Sequence, residues 1–180
     1  ARDTVRWIES HLRENGKTYP NLPRHSASWL AEELGWLFDH GHFGDVYLTV
    51  ERRGRGVALQ PSQRQDILAL ARSYRDYLIH EKKSDWNEWP FDAWEKWGTR
   101  TTAPPLYDHL LIDEAQFFAP IWLDLLRRAL KPRGHLFLCA DPTQGFLKRP
   151  QSWSSLGIDM RSRSLRLERP YRSTRAILAY

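Results

Sequence analysis

Two adjacent carboxylates, Asp113 and Glu114, close the apolar run Leu110-Leu111-Ile112. A third, Asp141, closes the run His135-Leu136-Phe137-Leu138-Cys139-Ala140. Acids so placed suit nucleotide hydrolysis: one carboxylate joins the shell of a hydrated Mg2+, and another orients or deprotonates water. That chemistry also needs a Gly-Lys-Ser/Thr phosphate loop, lying after a strand and opening a helix. Gly16-Lys17-Thr18 has the residue types, but the motif requires a glycine where this chain has His11. A helical pattern precedes these residues, and Tyr19-Pro20 blocks a helix after them. The expectation is a helix end and turn, with no phosphate loop in the chain.

The acids need elements to carry them. His109 to Ile112 predicts a strand, Pro120 to Leu130 a helix and His135 to Ala140 a second buried strand. Strand, helix and strand at this spacing make a βαβ unit, with parallel strands and a right-handed crossover. Both strands then deliver acids to one carboxyl rim, where α/β sheets bind ligands.

Upstream of Pro104-Pro105 the texture is helical. Asp3 to Asn15 carries Val5, Ile8 and Leu12 on one face and stops at Asn15-Gly16. Ser28 to His40 predicts a second helix. Ser62 to His80 predicts the clearest one, with Ser62 and Gln65 as a capping box and Ile67, Leu70, Ala71, Tyr74 and Leu78 as its buried stripe. Asp85 to Trp97 predicts a short helix and loop. Between Gly41 and Gly56 lies an irregular stretch containing Val46-Tyr47-Leu48 and the basic cluster Arg52-Arg53-Gly54-Arg55.

Composition narrows the class. A chain of 180 residues makes one domain or pieces of two. The net charge of +5, carried mostly by Arg, suits phosphate contacts, and nine tryptophans offer stacking surfaces as well as core. The single Cys139 excludes a disulfide framework and a cysteine zinc site. No apolar run is long enough to span a membrane and no signal-peptide pattern is present, so a cytoplasmic protein without a membrane partner is expected. The opening Ala1-Arg2-Asp3 and a lone methionine at Met160 suggest a piece of a longer polypeptide.

Three ordered segments carry a resemblance. Leu111-Ile112-Asp113-Glu114-Ala115-Gln116, Ala140-Asp141-Pro142-Thr143-Gln144 and Leu167-Glu168-Arg169-Pro170-Tyr171-Arg172-Ser173-Thr174 resemble motifs II, III and IV of superfamily 1 DNA helicases of the UvrD/Rep type. The resemblance implies an α/β fold: a partial RecA-like P-loop NTPase parallel sheet with a mainly helical insertion subdomain. Residues 1–104 would be that insertion, 105–164 the second half of the first motor domain, and 165–180 the start of the second. It implies ATP and Mg2+ as cofactors. The implied partners are single-stranded or partly duplex DNA and the missing remainder of the polypeptide.

It also implies roles. Asp113 would hold Mg2+ and Glu114 would polarise the attacking water. Gln116 and Gln144 would sense the γ-phosphate, with Asp141 beside the nucleotide. Tyr171 would stack on adenine and Arg172 would reach the γ-phosphate. Trp153 is a candidate platform for a single-stranded base, and Arg52, Arg53 and Arg55 are candidate backbone-phosphate contacts. The chain departs from the family pattern at Ala140, at Gly145-Phe146-Leu147 and at Pro170. It also lacks the phosphate-loop Lys, the adenine-binding Gln motif and the distal arginine finger, so the isolated chain is expected to be inactive as an ATPase. Two other readings stand beside this one: a non-catalytic helicase-like module that binds nucleic acid or protein, and a metal-dependent nuclease using Asp113, Glu114 and Asp141.

Overall fold

The computed structural model describes residues 2–52, 54–99, 106–141 and 153–166. The chain divides into two units, Ala1–Pro150 and Gln151–Tyr180. The first is a mixed α/β assembly made mostly of helices. Helices α1 (Arg2–Asn15), α2 (Ala27–Asp39), a single turn α3 (Val46–Thr49), α4 (Pro61–His80) and α5 (Glu88–Thr99) precede β1 (Tyr107–Ile112), α6 (Pro120–Arg128) and β2 (Leu130–Leu138).

Each helix begins where local chemistry supplies a start. The Ser26 hydroxyl accepts the Trp29 N–H at 3.2 Å and caps α2, two residues before the expected Ser28. In α4 the start is set by Pro61, whose fixed φ and missing N–H suit the first helical position. The reciprocal cap therefore falls on Gln60 and Gln63, with the Gln63 side chain accepting the Gln60 N–H at 2.9 Å, and not on Ser62 and Gln65. Val46-Tyr47-Leu48, expected to be irregular, forms the turn α3 because Tyr47 is drawn fully into the core.

The core sits among the helices. Ile8 of α1, Leu34, Leu37 and Phe38 of α2, Ile67, Leu70, Ala71, Tyr74 and Leu78 of α4, and Phe91 of α5 are all buried. Each large side chain in this set stabilises the fold by about 1.5–3 kcal/mol through burial. The stripe predicted for α4 is the one observed. A polar tie joins three segments at its edge: Asp85 Oδ2 accepts the Thr4 hydroxyl at 2.9 Å and the Tyr74 hydroxyl at 2.8 Å.

β1 and β2 pair in parallel with α6 between them, so the βαβ unit is present. His109 pairs with His135, Leu111 with Phe137 and Ile112 with Leu138. β2 begins at Leu130, well before the expected His135, and the register shifts between Tyr107 and His109. The irregularity centres on Arg133, at φ 71°, and on Gly134. A Cβ at Gly134 would lie 2.9 Å from the Lys131 carbonyl oxygen and 3.2 Å from that of Asp108, so the pairing requires glycine there.

The strands are less buried than their apolar sequence suggests. Leu111 is 76% exposed and its partner Phe137 59%, while Ile112 on the opposite side of the pleat is buried. With only two strands, one face of the sheet has nothing packed on it among the described residues. No described helix is long and apolar enough to cross a membrane. In the second unit, Trp153–Leu156 forms one 3-10 turn, closed by Gly157 at φ 69° and by Ile158 N–H donating to the Trp153 carbonyl at 2.9 Å.

Candidate functional site

The rim of the βαβ unit is built by backbone bonds that continue past the strand ends. Cys139 N–H donates to the Ile112 carbonyl at 2.8 Å, and Ala115 N–H donates to the Cys139 carbonyl at 2.8 Å. These two bonds fix the segments carrying Asp113-Glu114 and Asp141 side by side. Between them the chain turns sharply, with Glu114 in the left-handed region at φ 52°, ψ 39°. A non-glycine residue held there costs roughly 1–3 kcal/mol, and such strain gathers at functional positions. Part of the cost is offset locally, because Asp113 Oδ1 accepts the Glu114 N–H at 2.9 Å.

Gln116 ties the rim together. Its Nε2 donates to Glu114 Oε2, and its Oε1 accepts the Asp141 N–H at 3.0 Å. One carboxamide thus links the turn after β1 to the segment after β2. Asp113 and Glu114 are exposed, while Gln116 and Asp141 are half-buried. The structure brings these four predicted residues to one edge. Carboxylate oxygens open to solvent are the donors that Mg2+ accepts, and such a site draws its remaining ligands from water and phosphate. Among the described residues no group of three or more His, Cys, Asp or Glu side chains converges so as to hold a metal.

The other predicted residues are placed differently. Gln144, Tyr171, Arg172 and Arg53 lie outside the described residues. Trp153 is half-buried on the 3-10 turn of the second unit. Gly16-Lys17-Thr18 is a 3-10 turn directly after α1, with no strand before it and no helix opening from it.

Arg52 and Arg55, the candidate backbone-phosphate contacts, turn inward. Their side chains are only 4% and 6% exposed, and both close on Glu33, whose side chain has no exposure at all. Arg52 Nε reaches Glu33 Oε1 at 2.6 Å and its Nη2 reaches Oε2 at 2.7 Å. Arg55 Nε reaches Oε2 at 2.6 Å, and the Tyr47 hydroxyl donates to Oε1 at 2.7 Å. Gly54 at φ 76° and Gly56 at φ 68° turn the backbone so that Arg55 points inward. The physical reason is that a buried carboxylate is tolerated only when paired and hydrogen-bonded.

Burial alone raises the Glu33 pKa. Hydrogen bonds from Arg52 and Tyr47, with the charges of Arg52 and Arg55, outweigh that and leave it below the ordinary carboxylate value. Burial and the neighbouring Glu33 carboxylate push the Tyr47 hydroxyl far up, so it acts only as a donor. Glu33 carried one legible signal, since it stands between Leu30 and Leu34 on the apolar stripe of α2.

Fold and rim together define a mixed α/β chain whose parallel βαβ unit carries three acids past its strand ends, with one glutamine linking the Glu114 side chain to the Asp141 backbone. No protein-family model, curated protein or solved structure matches it.

Proposed function

We propose that this chain supplies the acid half of the Mg-ATP site of an ATP-dependent DNA helicase or translocase. In this reading the βαβ unit belongs to a RecA-like sheet whose phosphate loop lies outside these 180 residues. The observation that carries the proposal is the joining of Glu114 to the backbone of Asp141 through Gln116, at the carboxyl rim of two parallel strands. Ligands of open α/β sheets sit at that rim.

The residues then have distinct tasks. Asp113 would take a place in the shell of a bound Mg2+, and Glu114 would orient the attacking water. Gln116 holds the Glu114 carboxylate and the Asp141 backbone in register, so that nucleotide state is felt at both strand ends. Gln144, Tyr171 and Arg172 are assigned to the γ-phosphate, the adenine and the γ-phosphate respectively by the motifs they stand in. Bound Mg2+ supplies charge neutralisation at the β- and γ-phosphates. Phosphoryl transfer depends on positioning and electrostatics, so a site without its Lys and arginine finger loses most of its rate.

The test uses the purified 180-residue chain with Mg-ATP and single-stranded DNA. The proposal predicts no DNA-stimulated hydrolysis above background. Robust hydrolysis that Glu114→Gln abolishes would sink the half-site reading, because the chain would then hold a complete site.

A further inference from the structure

The kink at Arg133 and Gly134 resets the register of β2, so that His135 stands directly opposite His109 on the parallel partner strand. Side chains alternate across a strand. Both imidazoles therefore rise from the face that carries Leu111 and Phe137, which has nothing packed on it among the described residues. Both rings are exposed. Their planes lie within 10° of parallel and their centres are 5.4 Å apart. Among the described residues neither ring takes part in a hydrogen bond, so the ring nitrogens are open to a ligand. The adjacent carboxylate, Asp108, alternates to the other face of the pleat and is held by Lys131 Nζ at 2.8 Å.

That spacing fits a single metal ion. A metal–imidazole bond of about 2.1 Å puts the ion roughly 3.2 Å from the ring centre, so two rings at a tetrahedral angle on one ion have centres about 5.2 Å apart. The two rings already stand at nearly that separation. Turning each about χ2 brings its Nε2 inward while moving its centre little, because the axis runs through the ring. Exposed rings turn freely, and the backbone need not move. Two imidazoles supply half of a tetrahedral shell. No third His, Cys, Asp or Glu side chain joins them among the described residues, so water completes the shell, as it does in open sites. Imidazole suits Zn2+, Ni2+ and Cu2+, whereas Mg2+ and Ca2+ take oxygen ligands.

We propose that His109 and His135 together chelate one divalent transition-metal ion, of the class of Zn2+, Ni2+ and Cu2+, on the open face of the sheet. The ion staples β1 to β2. Opposed like charges weaken a strand pair when both rings are protonated, whereas a shared cation joins the strands and adds its binding free energy to the fold. The site uses no oxygen of the acid rim. It sits on the strands themselves, before Ile112 and Leu138 end them, and does not depend on any ATPase role.

The experiment follows the histidine ring resonances of the 180-residue chain by NMR while Zn2+ is added. The His109 and His135 rings should shift together and saturate at one ion per chain. His109→Ala and His135→Ala, each made at an exposed position, should each weaken binding at least about tenfold, because a second ligand held on the same face acts at high effective concentration. Saturating Zn2+ should also raise the urea midpoint of the wild-type chain and leave that of either variant unchanged. Mg2+ at the same concentration should move neither ring. No saturable shift of these rings by about 1 mM Zn2+, the weak end for a specific site, overturns the proposal. So do separate titrations of the two rings, a smaller loss than tenfold in either variant, shifts centred on other histidines, or an equal response to Mg2+.

Discussion

Replacing Glu33 by Gln tests whether the interior of the helical region is organised around one buried charge. The substitution keeps the shape but removes the anion that Arg52 and Arg55 share, and both side chains are almost wholly buried. It also turns an acceptor into an amide N–H that faces a guanidinium. Removing one partner of a buried ion pair costs about 3–5 kcal/mol, because the remaining charge stays desolvated. Two stranded guanidiniums place Glu33→Gln at the upper end of that range. With a urea m-value of about 2 kcal/mol/M, the unfolding midpoint should fall by about 2.5 M.

The pH dependence has a definite sign. The folded-state pKa of Glu33 lies below its ordinary value, so the unfolded chain binds the extra proton first as pH falls. The stabilisation by Glu33 is therefore complete above the ordinary carboxylate range and is lost as pH falls through the folded value. The difference between wild type and Glu33→Gln should shrink on acidification over that window. Urea titrations monitored by circular dichroism between neutral and acidic pH measure both effects. A neutral-pH loss within about 0.5 kcal/mol, the scale of an ordinary surface substitution, refutes the reasoning.

Two further outcomes follow from the packing. Gly134→Ala forces a Cβ against the Lys131 and Asp108 carbonyl oxygens and should cost about 1–3 kcal/mol in urea unfolding; a neutral effect would show that the kink in β2 does not need glycine. Tyr74→Phe removes one of the donors to Asp85 and leaves the Thr4 hydroxyl with one contact fewer. It should cost about 1.5–3 kcal/mol in the same assay, the loss of a hydrogen bond to a charged group.

Much of the fold was legible because periodicity is a local signal. The stripe of α4, the apolar runs of β1 and β2 and the helix between them all follow from residues a few positions apart. The misjudged boundaries have local causes that propensity underweights. Pro61 starts α4 early, and Gly134 lets the chain pair with β1 from Leu130 onward. Long-range pairing was illegible. Arg52 and Arg55 read as a basic patch because Glu33 lies 19 and 22 residues away and nothing local marks it as their partner. At the rim, the acids could be read from the strand ends. The second bond of Gln116, to a backbone N–H 25 residues on, could not.

Under the proposed function, Asp113 and Glu114 belong to an ATP site whose phosphate loop is not among these residues. Its most direct measurement is DNA-stimulated ATP hydrolysis by the longest polypeptide that contains this sequence, as wild type and as Glu114→Gln. The account predicts hydrolysis stimulated by single-stranded DNA in the wild type. It predicts a loss of at least about 10²-fold in rate in Glu114→Gln, with Mg-ATP binding retained, since water orientation is lost while the nucleotide contacts remain. Full activity in Glu114→Gln, or a wild-type polypeptide that neither binds nor hydrolyses ATP, would contradict it.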